Sequence, residues 1–178
     1  MSASQFVVEK ATMADVERIH ALVTHFADRG EMLHRPVGEI YENLRDFFVA
    51  RHQGETVACG ALHIMWRDLA EVKSLAVAQD RQLHGAGKAI VLACLEEARR
   101  LGIPTVFALT YKPAFFEKLG FHIANVGQFP RKVWNECYRC PKFPTCQEIA
   151  LSIELEGVAG SENGRAPARV PLAASPGQ

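Results

Sequence analysis

The chain of 178 residues has no excess of either charge: its 20 Lys and Arg are matched by 20 Asp and Glu. A balance of zero gives no support for nucleic acid or an anionic membrane surface as the main partner, since both select basic surfaces. Any anion the protein binds must be met by locally placed groups. No apolar run approaches membrane-spanning length, and the opening MSASQFVVEK lacks the charged-then-apolar pattern of a secretory signal. Cysteine is sparse and odd in number, at five, which argues against a disulfide scaffold and for a reducing cytoplasm. Beyond Glu156 large apolar residues nearly vanish in favour of Gly, Ala, Pro, Ser and Asn, so residues 156–178 are expected to be a disordered tail. There is no internal repeat and no sign of a second domain. What remains, residues 1–155, is long enough and apolar enough for one domain with a proper core.

The chain is organised around Glu71 to Lys88, EVKSLAVAQDRQLHGAGK. Val72 to Ala78 is short, mostly apolar and closed by the polar run Gln79-Asp80-Arg81-Gln82, which predicts a buried strand. A turn follows, Gln82-Leu83-His84-Gly85-Ala86-Gly87, and then a helix with Ile90, Val91, Cys94, Leu95, Ala98 and Leu101 on one stripe. A strand, a glycine turn and a helix N-terminus present free backbone N–H groups and the positive end of the helix dipole, which suit a phosphate. A Walker A loop would need glycine at 82 and Ser or Thr at 89, where Gln82 and Ala89 stand; a Rossmann fingerprint from Gly85 would need glycine at 90, where Ile90 stands. The pattern that fits is Q-x-x-G-x-G, as Gln82, Gly85 and Gly87; the plainer alternative is a turn whose glycines serve only the turn. This pattern resembles that of the general N-acetyltransferase (GNAT) superfamily, whose members cradle the pyrophosphate of acetyl-CoA in such a turn. The resemblance implies acetyl-CoA as co-substrate, held by Gln82, Leu83, His84, Gly85, Ala86, Gly87 and Lys88. It also implies a pantetheine arm paired with the strand backbone at Leu75, Ala76 and Val77.

Around this centre the pattern predicts a strand over Phe6 to Lys10, then a helix opened by the capping box Thr12-Met13-Ala14-Asp15. That helix carries Val16, Ile19, Leu22, Val23 and Phe26 inward and ends near Gly30. A loop, Glu31 to Pro36, precedes a second helix over roughly Val37 to Leu44. Phe47 to Arg51 and Thr56 to Met65 read as a hairpin turning at Gln53-Gly54. After the long helix come a strand at Thr105 to Leu109, a short helix from Pro113 closed by Gly120, and a last strand over Glu148 to Leu155. The short helix and its K-x-G-F ending are similar to the last helix of the superfamily. One departure stands out: many members carry a tyrosine just before the Glu of that helix as general acid, and here it is Phe116. The fold implied is α+β, a GNAT-type mixed, mostly antiparallel sheet flanked by helices and splayed at the fourth strand.

Three stretches resemble one branch of the superfamily, the short-form N-acetylglutamate synthases, which lack an amino-acid-kinase domain and acetylate L-glutamate at the start of arginine biosynthesis. They are Met32-Leu33-His34-Arg35-Pro36 ahead of Glu39 to Asn43, the run Ala70 to Val77, and the block Phe129 to Cys146. The likeness covers about residues 6–155. The loop departs from the commoner L-P-R-S wording with His34 and Pro36 around a retained Arg35. This resemblance implies a cytoplasmic enzyme with L-glutamate as its small-molecule substrate, and it leaves a homodimer open. The nearest rival acceptor is L-glutamine. The rival of a different class is a regulatory module that binds acetyl-CoA or a metal and has lost catalysis.

Acetyl transfer to an amine requires removal of a proton from the ammonium group, a polarised thioester carbonyl and a leaving thiolate. Glu71, at the start of the central strand, is the candidate base, against the plainer reading of a strand-edge carboxylate paired with Lys73 or solvent. Strict alternation would place Glu71 and Ser74 on opposite faces, so both reach one cleft only if the strand is bulged. The thioester oxygen would be met by the backbone N–H of Ala76 or Val77. With Phe116 unable to donate, Ser74, Thr110 and Tyr111 are the candidate proton donors, and the family analogy favours Ser74 and Thr110. A dicarboxylate substrate calls for cations; Arg35 and Arg131 match family positions expected near substrate, with Lys73, Lys132 and Arg139 behind them. Lys132 and Arg139 read more simply as a solvated loop face. In the segment 129–147, Cys137-x-x-Cys140 followed by Cys146 offers three zinc ligands, with His122, His84 or an external group as the fourth. Pro141 and Pro144 could equally stiffen a metal-free loop of reduced thiols.

Overall fold

The computed structural model describes residues 6–81, 85–129, 132, 135–143 and 145–158. The expected disordered tail therefore lies, apart from its first residues, outside the described part. Two local signals build the first half. Asp15 closes a capping box on the helical turn Met13–Asp15 that leads into helix α1 (Val16–Ala27), accepting from the Thr12 N–H at 2.8 Å. The same buried carboxylate takes Arg51 at 2.9 Å and the Thr56 hydroxyl at 3.1 Å. The cap thus ties α1 to the hairpin of β2 (Phe47–His52) and β3 (Glu55–Trp66). The turn between those strands has Gln53 at φ 51° and Gly54 at φ 85°, the double positive φ that matches the twist of a tight hairpin.

The chain adds β1 (Val7–Lys10), α2 (Val37–Glu42), β4 (Leu69–Val77), α3 (Ala86–Leu101), β5 (Thr105–Thr110), α4 (Pro113–Glu117), β6 (His122–Ile123) and β7 (Ile149–Glu154). Among the described residues seven strands form one sheet in the order β1-β2-β3-β4-β5-β7-β6, antiparallel everywhere except between β4 and β5. The α+β expectation holds. On one face α3 buries Ile90, Val91, Cys94, Leu95 and Ala98 against Ala58, Leu62, Ala70 and Val72. On the other, α1 and α2 bury Ile19, Val23, Phe26 and Ile40 against Val49, Cys59, Ala61 and Ala76. Several boundaries move. The central strand starts at Leu69 rather than Val72, α2 stops at Glu42, and Leu101, expected on the buried stripe of α3, is half exposed. The two-residue strand β6 had no counterpart in the sequence reading, being too short to carry an alternation.

The parallel pair opens the molecule. β4 and β5 are joined only from Leu69–Thr105 to Glu71–Phe107, after which they part. Across β4 on its other side, Ala61 pairs with Lys73 and Cys59 with Ala76, so Ser74 and Leu75 together oppose Gly60 alone. That is a β-bulge, and Ser74 sits in it at φ 54°, in the left-handed region. The bulge bends β4 away from β5 and resets its alternation. Gly60 is needed opposite it: a Cβ there would come within 2.6 Å of an Ile90 methyl and 3.2 Å of a Leu75 methyl.

Candidate active site

The gap between the parted strands is a cavity of about 630 Å³. One end is the start of α3, where Gly85 at φ 89° turns the chain and Ala86, Gly87 and Lys88 begin the helix. The N–H groups of this first turn have no partner within the helix. Gly87 lies close under the opposite wall: a Cβ on it would sit 3.3 Å from a Val77 methyl and 3.5 Å from the Phe115 ring. Leu75 and Val77 line the cavity, whereas the Ala76 side chain is buried under α1, leaving only its backbone for a ligand. Gln82, Leu83 and His84, the other cradle residues expected from the sequence, lie outside the described residues.

The far end holds the ionisable groups. Glu71 is 2% exposed on β4, and Lys132 reaches it from the segment after β6 with Nζ 2.9 Å from each carboxylate oxygen. Lys132 also donates to Glu136 at 2.8 Å, and Lys73 approaches Glu136 at 3.5 Å. Arg35 lies 3.9 Å from Glu136 and is hydrogen-bonded to Glu39 on α2. Lys132, read from the sequence as a solvated lysine, is in fact buried. Its place follows from tertiary packing that single-sequence patterning does not carry, and the only local hint was the i, i+4 spacing to Glu136. Glu71 pairs with Lys132 and not with Lys73, the plainer partner. Arg139 is exposed, as the sequence suggested. Arg131 lies outside the described residues.

The two carboxylates that share Lys132 are driven apart. Burial pushes Glu71 up, against the pull of Lys132 and Lys73. Burial also works against Glu136, but the charge and hydrogen bond of Lys132, with Lys73 and Arg35, outweigh it and hold that carboxyl at about 2. Lys132 is itself disfavoured by burial, and the two glutamates more than restore its charge, raising it. Glu136 is therefore held as the anion, and Glu71 is the carboxylate of the two that more readily takes a proton.

The remaining candidates fall into place unevenly. Ser74 and Thr110 both line the cavity, so the bulge brings Ser74 to the side where Glu71 lies. The Thr110 oxygen accepts the Lys112 N–H at 2.9 Å, leaving its own proton free to donate. The Tyr111 oxygen is met by Lys142 at 3.0 Å. Phe116 stands in the wall, edge-on to Phe115 and Phe121, with no proton to give. Of the possible zinc ligands, His84 lies outside the described residues. Cys137, Cys140 and Cys146 reach the cavity edge as free thiols, but among the described residues no group of His, Cys, Asp and Glu is arranged to hold a metal ion. Burial pushes the Cys137 and Cys146 thiols up. His122, a proposed fourth ligand, sits exposed on β6. Among the described residues no helix is long and apolar enough to cross a membrane.

Residues 15–121 match the acetyltransferase (GNAT) family. The chain belongs to the GNAT acetyltransferase family. Its co-substrate is acetyl-CoA, supported by similar solved structures that hold coenzyme A. Among relatives, an uncharacterised N-acetyltransferase of Chlorobaculum tepidum is 36% identical over 85% of this chain and 97% of its own length. An amino-acid acetyltransferase of Mycobacterium tuberculosis is 34% identical over 87% of this chain and 90% of its own. In structure, N-acetylglutamate synthase of Neisseria gonorrhoeae, complexed with coenzyme A and N-acetyl-glutamate, superposes with a TM-score of 0.73 at 25% identity. That match covers 84% of this chain and 35% of the synthase.

Proposed function

We propose that this GNAT enzyme transfers the acetyl group of acetyl-CoA to the α-amino group of L-glutamate, the reaction that opens arginine biosynthesis. The observation that carries the proposal is the meeting of Arg35, Lys73 and Lys132 beside a buried Glu71, at the end of the cleft away from the glycine turn. Cations suited to carboxylates stand next to a carboxylate suited to an ammonium proton. The amino-acid acetyltransferase among the relatives and the Neisseria synthase support the same acceptor class. In this reading Glu71 takes the ammonium proton, the freed amine attacks the thioester carbon, and the C–S bond breaks as the N–C bond forms. The β4 backbone N–H at Ala76 or Val77 meets the thioester oxygen, and Ser74 or Thr110 gives its proton to the thiolate and takes the second proton from the newly acetylated nitrogen. Arg35 takes the side-chain carboxylate of glutamate, and Arg131 its α-carboxylate.

The rival acceptor is L-glutamine, favoured by one observation: each of the three described cations already has an acidic partner. Substitution of Arg35 separates the two. A charge-assisted hydrogen bond contributes roughly 1.5–3 kcal/mol, so Arg35→Gln should lower kcat/KM for glutamate by about one to two decades and spare glutamine. Coenzyme A release measured with both amino acids reads this out. Equal losses on both would give Arg35 a shared role, and a wild-type preference for glutamine would overturn the glutamate assignment.

A further inference from the structure

Six charges meet at the acceptor end of the cleft, and they cancel: Arg35, Lys73 and Lys132 against Glu39, Glu71 and Glu136. Glu39 touches only Arg35 among these cations, and Glu71 is bonded only to Lys132. Glu136 alone contacts all three, at 2.8 Å from Lys132, 3.5 Å from Lys73 and 3.9 Å from Arg35. A carboxylate among three cations, in the wall of a cleft meant for a carboxylate-bearing acceptor, stands where the ligand's own group would stand. We infer that Glu136 is a tethered competitor for the acceptor's side-chain carboxylate, and so sets the balance between acidic and neutral amino acids. The inference rests on the proposed amino-acid acceptor and adds what governs its choice.

Three further observations support this role. The Glu136 side chain is 28% exposed against 3% for Glu71, so it has a route into water that Glu71 lacks, and the cation contacts it gives up there are the ones an acceptor carboxylate would take over. It sits one turn beyond Lys132, at the end of an α-helical turn to which Lys132 and Asn135 belong, its N–H bonded to the Lys132 carbonyl at 3.0 Å, and just ahead of the short helical turn Cys137–Arg139. Its departure would also leave the right charge. Arg35 keeps Glu39 and Lys132 keeps Glu71, while Lys73 loses the one carboxylate it is paired with among the described residues. The site then carries a single uncompensated positive charge, which is the difference between accepting glutamate and accepting glutamine. With Glu136 in place, the amide of glutamine can instead donate to it.

Two measurements on the full chain test this: steady-state kinetics with glutamate and glutamine, and calorimetric titration of glutarate into CoA-loaded protein. Glu136→Gln removes the competing charge and keeps the shape. The KM for glutamate should fall about tenfold, the weight of one charge-assisted hydrogen bond, while the KM for glutamine rises as its amide loses a charged acceptor. Glutarate should bind tighter by the same factor. A glutamate KM that stays or rises would overturn the inference while leaving the acetyltransferase reading intact. If neither amino acid is turned over, the acceptor proposal fails, and the glutarate titration alone decides the role of Glu136: tighter binding sustains it and unchanged binding ends it. Should Glu136→Gln not fold, Glu136→Asp retracts the charge by one methylene and should move both constants the same way by less; no movement would again overturn the inference.

Discussion

Replacing Glu71 with glutamine should lower kcat about 10²–10⁴-fold, the usual weight of a general base, and leave the affinity for acetyl-CoA unchanged. The variant should fold. Removing one partner of a buried ion pair is harmful when it strands a bare charge, but Lys132 retains Glu136 at 2.8 Å. The pH profile carries a second signature. Burial raises Glu71 above the ordinary glutamate value, so the wild-type base is lost to protonation as pH falls through that raised value. The acid limb of kcat/KM should therefore lie at higher pH than a solvated glutamate would give, and Glu71→Gln should lack that limb. Turnover close to normal across the pH range would hand the proton to a water relay.

Gly87→Asp should abolish acetyl-CoA binding, with an affinity loss of about 10²-fold or more if two charge-assisted hydrogen bonds from the turn are lost. The physical reasons are steric and electrostatic together. A Cβ at Gly87 meets Val77 at 3.3 Å and Phe115 at 3.5 Å, a squeeze the wall absorbs with a small shift. The carboxylate then projects near the unpaired N–H groups at the start of α3, where the pyrophosphate is expected. An acidic residue in the first turn favours the helix itself, so thermal stability should hold while calorimetric affinity for acetyl-CoA collapses. Unchanged affinity in a folded variant would move the pyrophosphate elsewhere.

What could be read from the sequence was local. The capping box at Asp15, the hairpin turn at Gln53-Gly54 and the strand–turn–helix through Gly85 and Gly87 each announce themselves within a few residues, because backbone conformation dictates residue type there. The placement of Glu71 was legible too, as an acid at the start of the central strand. Its partner was not, since Lys132 lies 61 positions away and meets it only through tertiary packing. Ser74 shows the same limit. Whether it faces the cleft depends on its pairing with Gly60 across the sheet, and nothing in the run Glu71 to Val77 signals a bulge. The cysteine spacing suggested a metal, and spacing fixes neither the direction of the thiols nor where a fourth ligand stands.

The bulge at Ser74 also has a meaning in terms of chain length. Delete that one residue, and Leu75 would fall opposite Gly60 while Ala76 keeps Cys59 and Val77 keeps Ala58. Every apolar side chain of β4 would stay on its present face, and the left-handed backbone at Ser74, which costs on the order of 1 kcal/mol, would be gone. A straight β4 would then be free to go on pairing with β5 beyond Glu71, and the wedge that admits the acyl donor would zip shut. By this count the enzyme stands one codon away from a more regular, more stable and inert sheet.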